Sequence, residues 1–325
     1  MIVVETIIKK MGKVPSIVKE IQLSPKRELD YSYQKNISYS QYSMWKKCPK
    51  QWALQYRDGH KIYTPSIHTV FGKALHEAFQ HYIKVMYETS GAAADREDIL
   101  EILKDQLRAH YQEEYKKNNK QHFSNPGELS EFYQDGVEIL NYLKKHRGKY
   151  FSKRGWHLVG IETRILMPPV KYNPNILFAG YLDIVMYNEK LNKFKIIDIK
   201  TSTNGWKLNY VKNDEDKQFQ LILYKKFFAE QFGVNIKDID IEFFITRRKV
   251  YTEGDYPQKR FQMYSPPSGK IKISRATKAI QEFMSECFIK NEYSIKEMLP
   301  NPSKWNCGFC PYKTDKKLCG LGEHF

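Results

Sequence analysis

Residues 176–187 and 194–200 form two apolar runs, separated by the polar stretch 188–193. That pattern predicts a β-hairpin. A turn centred between Lys190 and Leu191 sets Tyr187 opposite Phe194 and carries Asp183 to a place across from Asp198. Lys200 lies two residues beyond Asp198 and so shares its face. The neighbours Ile184, Val185, Ile196, Ile197 and Ile199 indicate a largely buried sheet, in which a carboxylate requires a partner.

The rest of the chain reads as helices and strands around this hairpin. Ser38 or Ser40 caps a short helix carrying Tyr42, Trp45, Cys48, Trp52 and Tyr56 at three- and four-residue steps, and Pro49 kinks or restarts it. A second helix is expected over 71–88, with Phe71, Leu75, Phe79, Tyr82 and Met86 on one stripe. The segment 91–94, Gly-Ala-Ala-Ala, reads as a linker. Helical periodicity over 95–117 and 127–146, split by Asn125-Pro126-Gly127, marks a helical insertion at about 95–150. Strands are expected at 158–166 and 239–247, a helix with an acidic first turn at 216–232, and a loop or weak hairpin over 251–270. A last helix opens at Ser274 with Ala276, Ile280, Phe283 and Cys287 facing inward, before a Pro-, Gly- and Cys-rich tail at 300–325. Residues 1–35 read as a polar arm, and 36–325 as the domain proper. The class is α/β, a mixed sheet flanked by helices.

Size permits one large domain with insertions. No apolar run approaches the ~20 residues of a membrane-spanning helix, and the first 20 residues lack a signal-peptide core, so a soluble cytoplasmic protein without a membrane partner is expected. The net charge of +16 favours polyanionic partners. Basic clusters at 144–147, 247–249 and 259–260 are interleaved with Tyr251, Tyr256, Phe261 and Tyr264, which suits base stacking on single strands. The Lys- and Asn-rich composition hints at a bacterial or phage origin.

Two carboxylates with a lysine beside them suit phosphodiester hydrolysis. A hard divalent cation such as Mg²⁺ takes oxygen ligands, polarises a phosphoryl group and acidifies bound water. A lysine orients that water or balances charge developing on the phosphate. His76, four residues after Gly72 on the second helix, is a further candidate ligand, although a lone histidine is more often a surface residue. Gln220 and Tyr224 share a helix face and either bind phosphate, hold Lys200, or form an amphipathic edge. Glu162 on the preceding strand is either an outer acidic group or simply exposed.

Of the five cysteines, Cys287 falls on an apolar helix face and reads as core. Cys307-x2-Cys310-x8-Cys319 is a metal-ligand pattern that needs a fourth donor. With His324 it makes a Cys₃His zinc site; with the distant Cys48 it makes a set of four thiolates.

The ordered string Ser38-x-Ser40, Cys48-Pro49-x-x-Trp52-x-x-x-Tyr56, Gly72-x-x-x-His76, Gly180-x-x-Asp183, Asp198-x-Lys200 and Gln220-x-x-x-Tyr224 resembles the RecB-like branch of the PD-(D/E)XK nucleases. That branch includes RecB and AddB nuclease domains, CRISPR-associated exonucleases, and phage and mitochondrial genome-maintenance exonucleases. The resemblance implies a restriction-endonuclease-like core that cleaves DNA with Mg²⁺ or Mn²⁺. It makes His76, Asp183 and Asp198 metal ligands, with the Ile199 carbonyl a further one, and Lys200 the catalytic lysine. In iron–sulfur members a Cys near the N-terminus joins three near the C-terminus around a 4Fe–4S cluster, which matches Cys48 with Cys307, Cys310 and Cys319 and favours the cluster over zinc. No Pro precedes Asp183, a departure that the Gly-x-x-Asp form of this branch shares.

The expectation is therefore a metal-dependent DNA exonuclease acting on single-stranded or processed ends in recombination, repair or replication. A helicase, recombinase or single-strand-binding protein is a candidate partner. The competing class is a nucleic-acid-binding module with an inactive nuclease core, working alongside a helicase or recombinase.

Overall fold

The computed structural model describes residues 14–151, 154–253 and 257–320. Helix α1 (Ser16–Leu23) is followed by strand β1 (Lys35–Ile37). Part of the segment read as a polar arm is thus folded, with Val18 and Ile21 of α1 buried. Helix α2 (Tyr39–Lys47) begins where the Ser38 hydroxyl accepts the Gln41 N–H, so Ser38 is the cap and Ser40 lies inside the helix. Pro49 restarts the chain as α3 (Pro49–Trp52), which runs into one π-helical stretch at Ala53–Arg57. Pro suits this first-turn position because its missing N–H would have no helical partner.

Helix α4 (Ile67–Glu88) starts one turn earlier than expected because Ser66 caps it. The segment read as a linker is a short helix, α5 (Gly91–Arg96): Ser90 accepts the Ala93 N–H, and three alanines follow. Helices α6 (Ile99–Lys117) and α7 (Pro126–Tyr150) occupy the segment read as a helical insertion, capped by Asp98 and Asn125. A Cβ at Gly136 of α7 would come within 2.6 Å of Leu103, so glycine lets α7 approach α6.

The sheet comprises β2 (Trp156–Met167), β3 (Ile176–Asn188), β4 (Lys193–Ser202), β5 (Ile239–Arg247) and β6 (Phe261–Tyr264), together with β1. Its order is β1-β3-β4-β5-β6, with β2 antiparallel to β3. The β1–β3 and β4–β5 pairs are parallel, so the sheet is mixed. Helices α8 (Leu208–Asn213) and α9 (Glu215–Phe232) connect β4 to β5, with Gly233 left-handed at the end of α9. Strand β6 lies within the stretch read as a loop or weak hairpin.

Helix α10 (Lys270–Cys287) begins four residues before Ser274, with Gly269 at its N-cap, and buries Ala276, Ile280, Phe283 and Cys287 as expected. A two-stranded ribbon, β7 (Phe288–Ile289) and β8 (Glu292–Tyr293), and the short helices α11 (Lys304–Cys307) and α12 (Lys316–Cys319) complete the described chain.

Alternation along the strands divides the apolar residues between two cores. Val185, Tyr187, Phe194, Ile196, Phe243 and Ile245 face the core shared with α1, α2, α9 and α10. Ile184, Met186, Ile197, Ile199 and Phe244 face the core shared with α4, α6 and α7. These helices are thus a structural layer of the protein, and they cover one face of the sheet.

The basic clusters serve that layer. Arg248 stands 3.9 Å over the Phe132 ring and pairs with Asp135 at 2.8 Å and Glu131 at 3.1 Å. Lys249 reaches Asp135 and Glu131 at 2.8 Å each, and Arg260 reaches Glu138 at 2.6 Å. Arg147 pairs with Asp95 at 2.7 Å. Of the rings expected as stacking surfaces, Phe261 and Tyr264 are buried, Tyr251 is exposed, and Tyr256 lies outside the described residues. Arg248, Lys249 and Arg260 of the expected nucleic-acid patch are therefore committed to holding α7 against the sheet.

Candidate metal centre

The hairpin has the register that alternation predicts. Tyr187 pairs with Phe194, and the ladder ends at Ile184 and Ile197, one step short of Asp183 and Asp198. Past that point β4 continues beside β5, while β3 next meets β1 at Phe178. Between the two ladders β3 lacks a strand on this side, and the sheet splays open. The Asp183 carboxylate fills the opening: its Oδ2 accepts the Ile199 N–H at 2.6 Å, replacing a ladder bond with a side-chain bond. The backbone group of Ile199 that contacts Asp183 is thus its N–H.

Three elements converge on the splay. From α4, His76 Nε2 lies 2.9 Å from Asp183 Oδ2, and its Nδ1 lies 3.6 Å from Glu162 Oε1. One turn further on, Gln80 donates to Glu162 Oε1 at 2.6 Å and to the Asp183 carbonyl at 3.1 Å. From β4, Lys200 Nζ stands 2.9 Å from Asp198 Oδ2, close enough for an ion pair but not aligned as a hydrogen bond. From α9, Gln220 donates to Asp198 Oδ1 at 3.1 Å and to the Tyr224 hydroxyl at 3.3 Å. The glycine of the Gly-x-x-Asp motif accommodates this last group: a Cβ at Gly180 would sit 2.7 Å from the Tyr224 ring.

Glu162 is the member whose role the sequence left open. It adopts φ +49°, a left-handed conformation uncommon for a residue with a Cβ. Its neighbours Ile161 and Thr163 pair with Ile184 and Leu182, which brackets it opposite Asp183. A register shift between Leu158 and Gly160 breaks the alternation along β2, so its facing could not be read from periodicity.

Charge is poorly balanced here. Glu162, Asp183 and Asp198 face one lysine and one histidine. Burial pushes the Asp198 carboxyl up to about 6, the negative Asp183 adds to this, and Lys200 opposes it. Burial disfavours the charged forms of His76 and Lys200, but the carboxylates outweigh it. Asp183, Glu162 and Asp198 raise His76, and Asp198 and Asp183 raise Lys200. A bound cation would offset this imbalance.

The donor geometry agrees. Ligand atoms of His76, Glu162 and Asp183 all lie within 4.8 Å of one another, a group that fits one divalent ion. Asp198 is outside this trio, adjoining it and buried to 3% exposure.

The cysteines are arranged more loosely. Among the described residues, no three cysteine sulfurs come within 4.8 Å of one another, so the expected set of four thiols is not assembled. The tail does dock beside Cys48. The Asn301 N–H points at Cys48 Sγ at 3.4 Å, and the Asn301 and Asn306 amides both donate to the Lys47 carbonyl at 2.9 Å. Tyr312 fixes the tail to Gln55 at 2.7 Å and to the His60 carbonyl at 2.6 Å. Burial raises the Cys310 thiol, and the potentials of Cys48, Cys319 and Cys307 raise it further. His324, the alternative zinc donor, lies outside the described residues.

A mixed sheet between helical layers, with an aspartate and an Asp-x-Lys on adjacent strands at a splay, defines a class of metal-dependent nucleases. Residues 36–314 match the model of the PD-(D/E)XK nuclease superfamily, and the chain belongs to that superfamily. Among curated proteins none matches the chain. No helix among the described residues is long and apolar enough to cross a membrane.

Proposed function

We propose that the protein is a Mg²⁺- or Mn²⁺-dependent deoxyribonuclease of the RecB-like branch, working as an exonuclease on single-stranded or processed DNA ends. The observation that carries this reading is the His76–Glu162–Asp183 trio with the Asp198–Lys200 pair beside it in one splay of the sheet. His76, Glu162 and Asp183 would hold the cation, with Asp198 adjoining. When bound, the cation supplies Lewis acidity toward a phosphate oxygen and lowers the pKa of water.

The chain supplies the rest. Lys200, kept charged by Asp198, orients the attacking water and offsets charge on the phosphate as a P–O bond forms to the water oxygen, whose proton passes to bulk water, and the bond to the leaving oxygen breaks, that oxygen taking a proton from bulk water. Gln220 fixes the Asp198 carboxylate, and Tyr224, seated over Gly180, fixes Gln220. The burial of Asp198 restricts water around the reacting groups and strengthens their interactions.

The same reading includes a structural metal centre at the tail, a 4Fe–4S cluster on Cys48, Cys307, Cys310 and Cys319, supported by the docking of the tail on Cys48. Iron and sulfide analysis of anaerobically purified protein tests it, and stoichiometric zinc would favour the site with His324. A cytoplasmic setting in recombination, repair or replication, with a helicase or single-strand-binding partner, follows from the nuclease reading.

The decisive experiment incubates end-labelled single- and double-stranded DNA with Mg²⁺, Mn²⁺ or EDTA, alongside Asp183→Ala. Metal-dependent release of mono- or short oligonucleotides, lost in the variant, is expected. A folded protein that binds DNA but cuts none under any metal would overturn the proposal.

A further inference from the structure

A groove of about 710 Å³ opens directly beside the metal trio, and Glu162 is part of its lining. Its floor is the outer edge of β2, from Leu158 to Arg164. One wall is the C-terminal half of α4; the other is the end of α1 and the chain that follows it, through Arg27.

Helix α4 ties the groove to the site by its period. His76, Gln80, Lys84 and Glu88 recur every four residues and so lie along one stripe. His76 and Gln80 hold Asp183 and Glu162, while Lys84 and Glu88 line the groove. Lys84 therefore stands about 12 Å along the axis from His76, at 1.5 Å per residue.

The lining is predominantly basic. Lys26, Arg27, Lys84 and Arg164 contribute four positive charges against Glu88 and Glu162, of which Glu162 faces the cation site. Lys26 and Lys84 are exposed, and neither has an ion-pair partner among the described residues. Arg164 Nε is buried and has no hydrogen-bond partner. The contrast with Arg248 and Arg260, both paired, is direct. An exposed aromatic ring, Tyr181 at 52% exposure, also lines the groove two residues before Asp183. Unpaired cations flanking an exposed ring match the chemistry of a single polynucleotide strand: phosphates for the cations and a base for the ring.

We propose that this groove holds the stretch of nucleic-acid strand on one side of the scissile phosphate, clamped between α4 and the segment following α1. This rests on the nuclease reading. The cavity volume is that of sites that hold a drug-sized molecule, so it takes a short length of strand and not a duplex.

The test uses the full chain with Lys26→Glu and Lys84→Glu together, both at exposed positions outside the metal trio. Fluorescent oligothymidylates of 2 to 16 nucleotides report strand affinity, Mn²⁺ titration reports the cation site, and thymidine 5′-(4-nitrophenyl) phosphate reports chemistry without a strand. The variant is expected to lose about tenfold or more in affinity for the longer strands, with a shallower salt dependence. Mn²⁺ affinity and nitrophenyl release should stay within twofold of the unaltered protein. Tyr181→Ala should lower strand affinity several-fold without altering the salt dependence, as stacking predicts.

Unchanged strand affinity in the double variant overturns the proposal and leaves the β2 edge for an added polypeptide strand. An equal loss of Mn²⁺ affinity also overturns it, because the lysines would then be supporting the metal site. If the unaltered protein hydrolyses neither substrate, the nuclease reading fails, while the affinity series still decides whether the groove binds a strand.

Discussion

Two clusters of charge lie on this fold, and their balance differs. Where the insertion meets the sheet, Glu131, Asp135 and Glu138 face Arg248, Lys249 and Arg260, three against three, with every member paired. At the splay, Glu162, Asp183 and Asp198 face only Lys200 and His76, and Asp198 is buried. Charge density alone would have drawn attention to the first cluster, whose basic residues stand out in the sequence. The second is the functional candidate because its charges are incompletely answered within the chain. A balanced cluster holds elements together, whereas an unbalanced one awaits a ligand.

Substitutions should separate the two regions, and the largest effects fall on chemistry. Asp183→Ala removes a candidate cation ligand and the acceptor for the Ile199 N–H, and should abolish cleavage. Lys200→Ala should lower the single-turnover rate by about 10²–10³-fold, the range for losing one transition-state donor. DNA affinity and its salt dependence should persist in both, since contacts elsewhere supply them. Retained cleavage in both would reject the assignment.

Next in size is the clamp. Asp135→Ala removes the buried one of the two carboxylates that Arg248 and Lys249 share and leaves them only the exposed Glu131, so a loss of stability below the about 3–5 kcal/mol of a fully broken buried pair is expected. Urea denaturation measures this. A stability loss with activity preserved below the midpoint would confirm that the clamp is structural; loss of activity in a fully folded variant would place it in the site after all.

Gly180→Ala should have a smaller effect, moving the Tyr224 ring and with it Gln220 and Asp198. A fall of about tenfold in turnover, with near-normal stability, is expected, because small misplacements of reacting groups cost rate. If activity is unchanged, Tyr224 has no part in positioning Asp198.

The mildest effect is that of pH on metal affinity. In the metal-free site His76 is raised above its ordinary value by the carboxylates, and burial pushes Asp198 up to about 6, so both take up protons as pH falls. A proton on either one opposes the cation. The Mn²⁺ concentration for half-maximal activity should therefore rise several-fold as pH falls from 7.5 to 5.5.

How much of this was legible depends on the period of each segment. The hairpin was readable because strict alternation on both sides of a polar turn fixes the register, and Asp183 and Asp198 follow from Tyr187 and Phe194. His76, Gln220 and Tyr224 were readable as helix positions, but their convergence needed the fold. Glu162 was not readable, because the shift near Val159 breaks alternation just before it. The structural role of Arg248 was not readable, because its partners lie 113 and 117 residues away, on α7. The start of α10 carries no sequence signal, because Gly269 provides no side-chain cap whereas Ser274 resembles one. The thiols, placed by spacing and family resemblance, are near one another without forming the expected set.

The turn between β3 and β4 also bears on how this protein can evolve. Side chains alternate with a period of two, so gaining or losing a single residue that slips β4 by one position would carry Asp198 and Lys200 to the opposite face, away from Asp183. The connection between β5 and β6 sets no such parity at the metal centre. Lineages descended from this chain should therefore vary in length inside the β5–β6 connection, between the clamp residues Lys249 and Arg260. At the β3–β4 turn they should keep its length, or change it only in ways that preserve the face on which Asp198 sits.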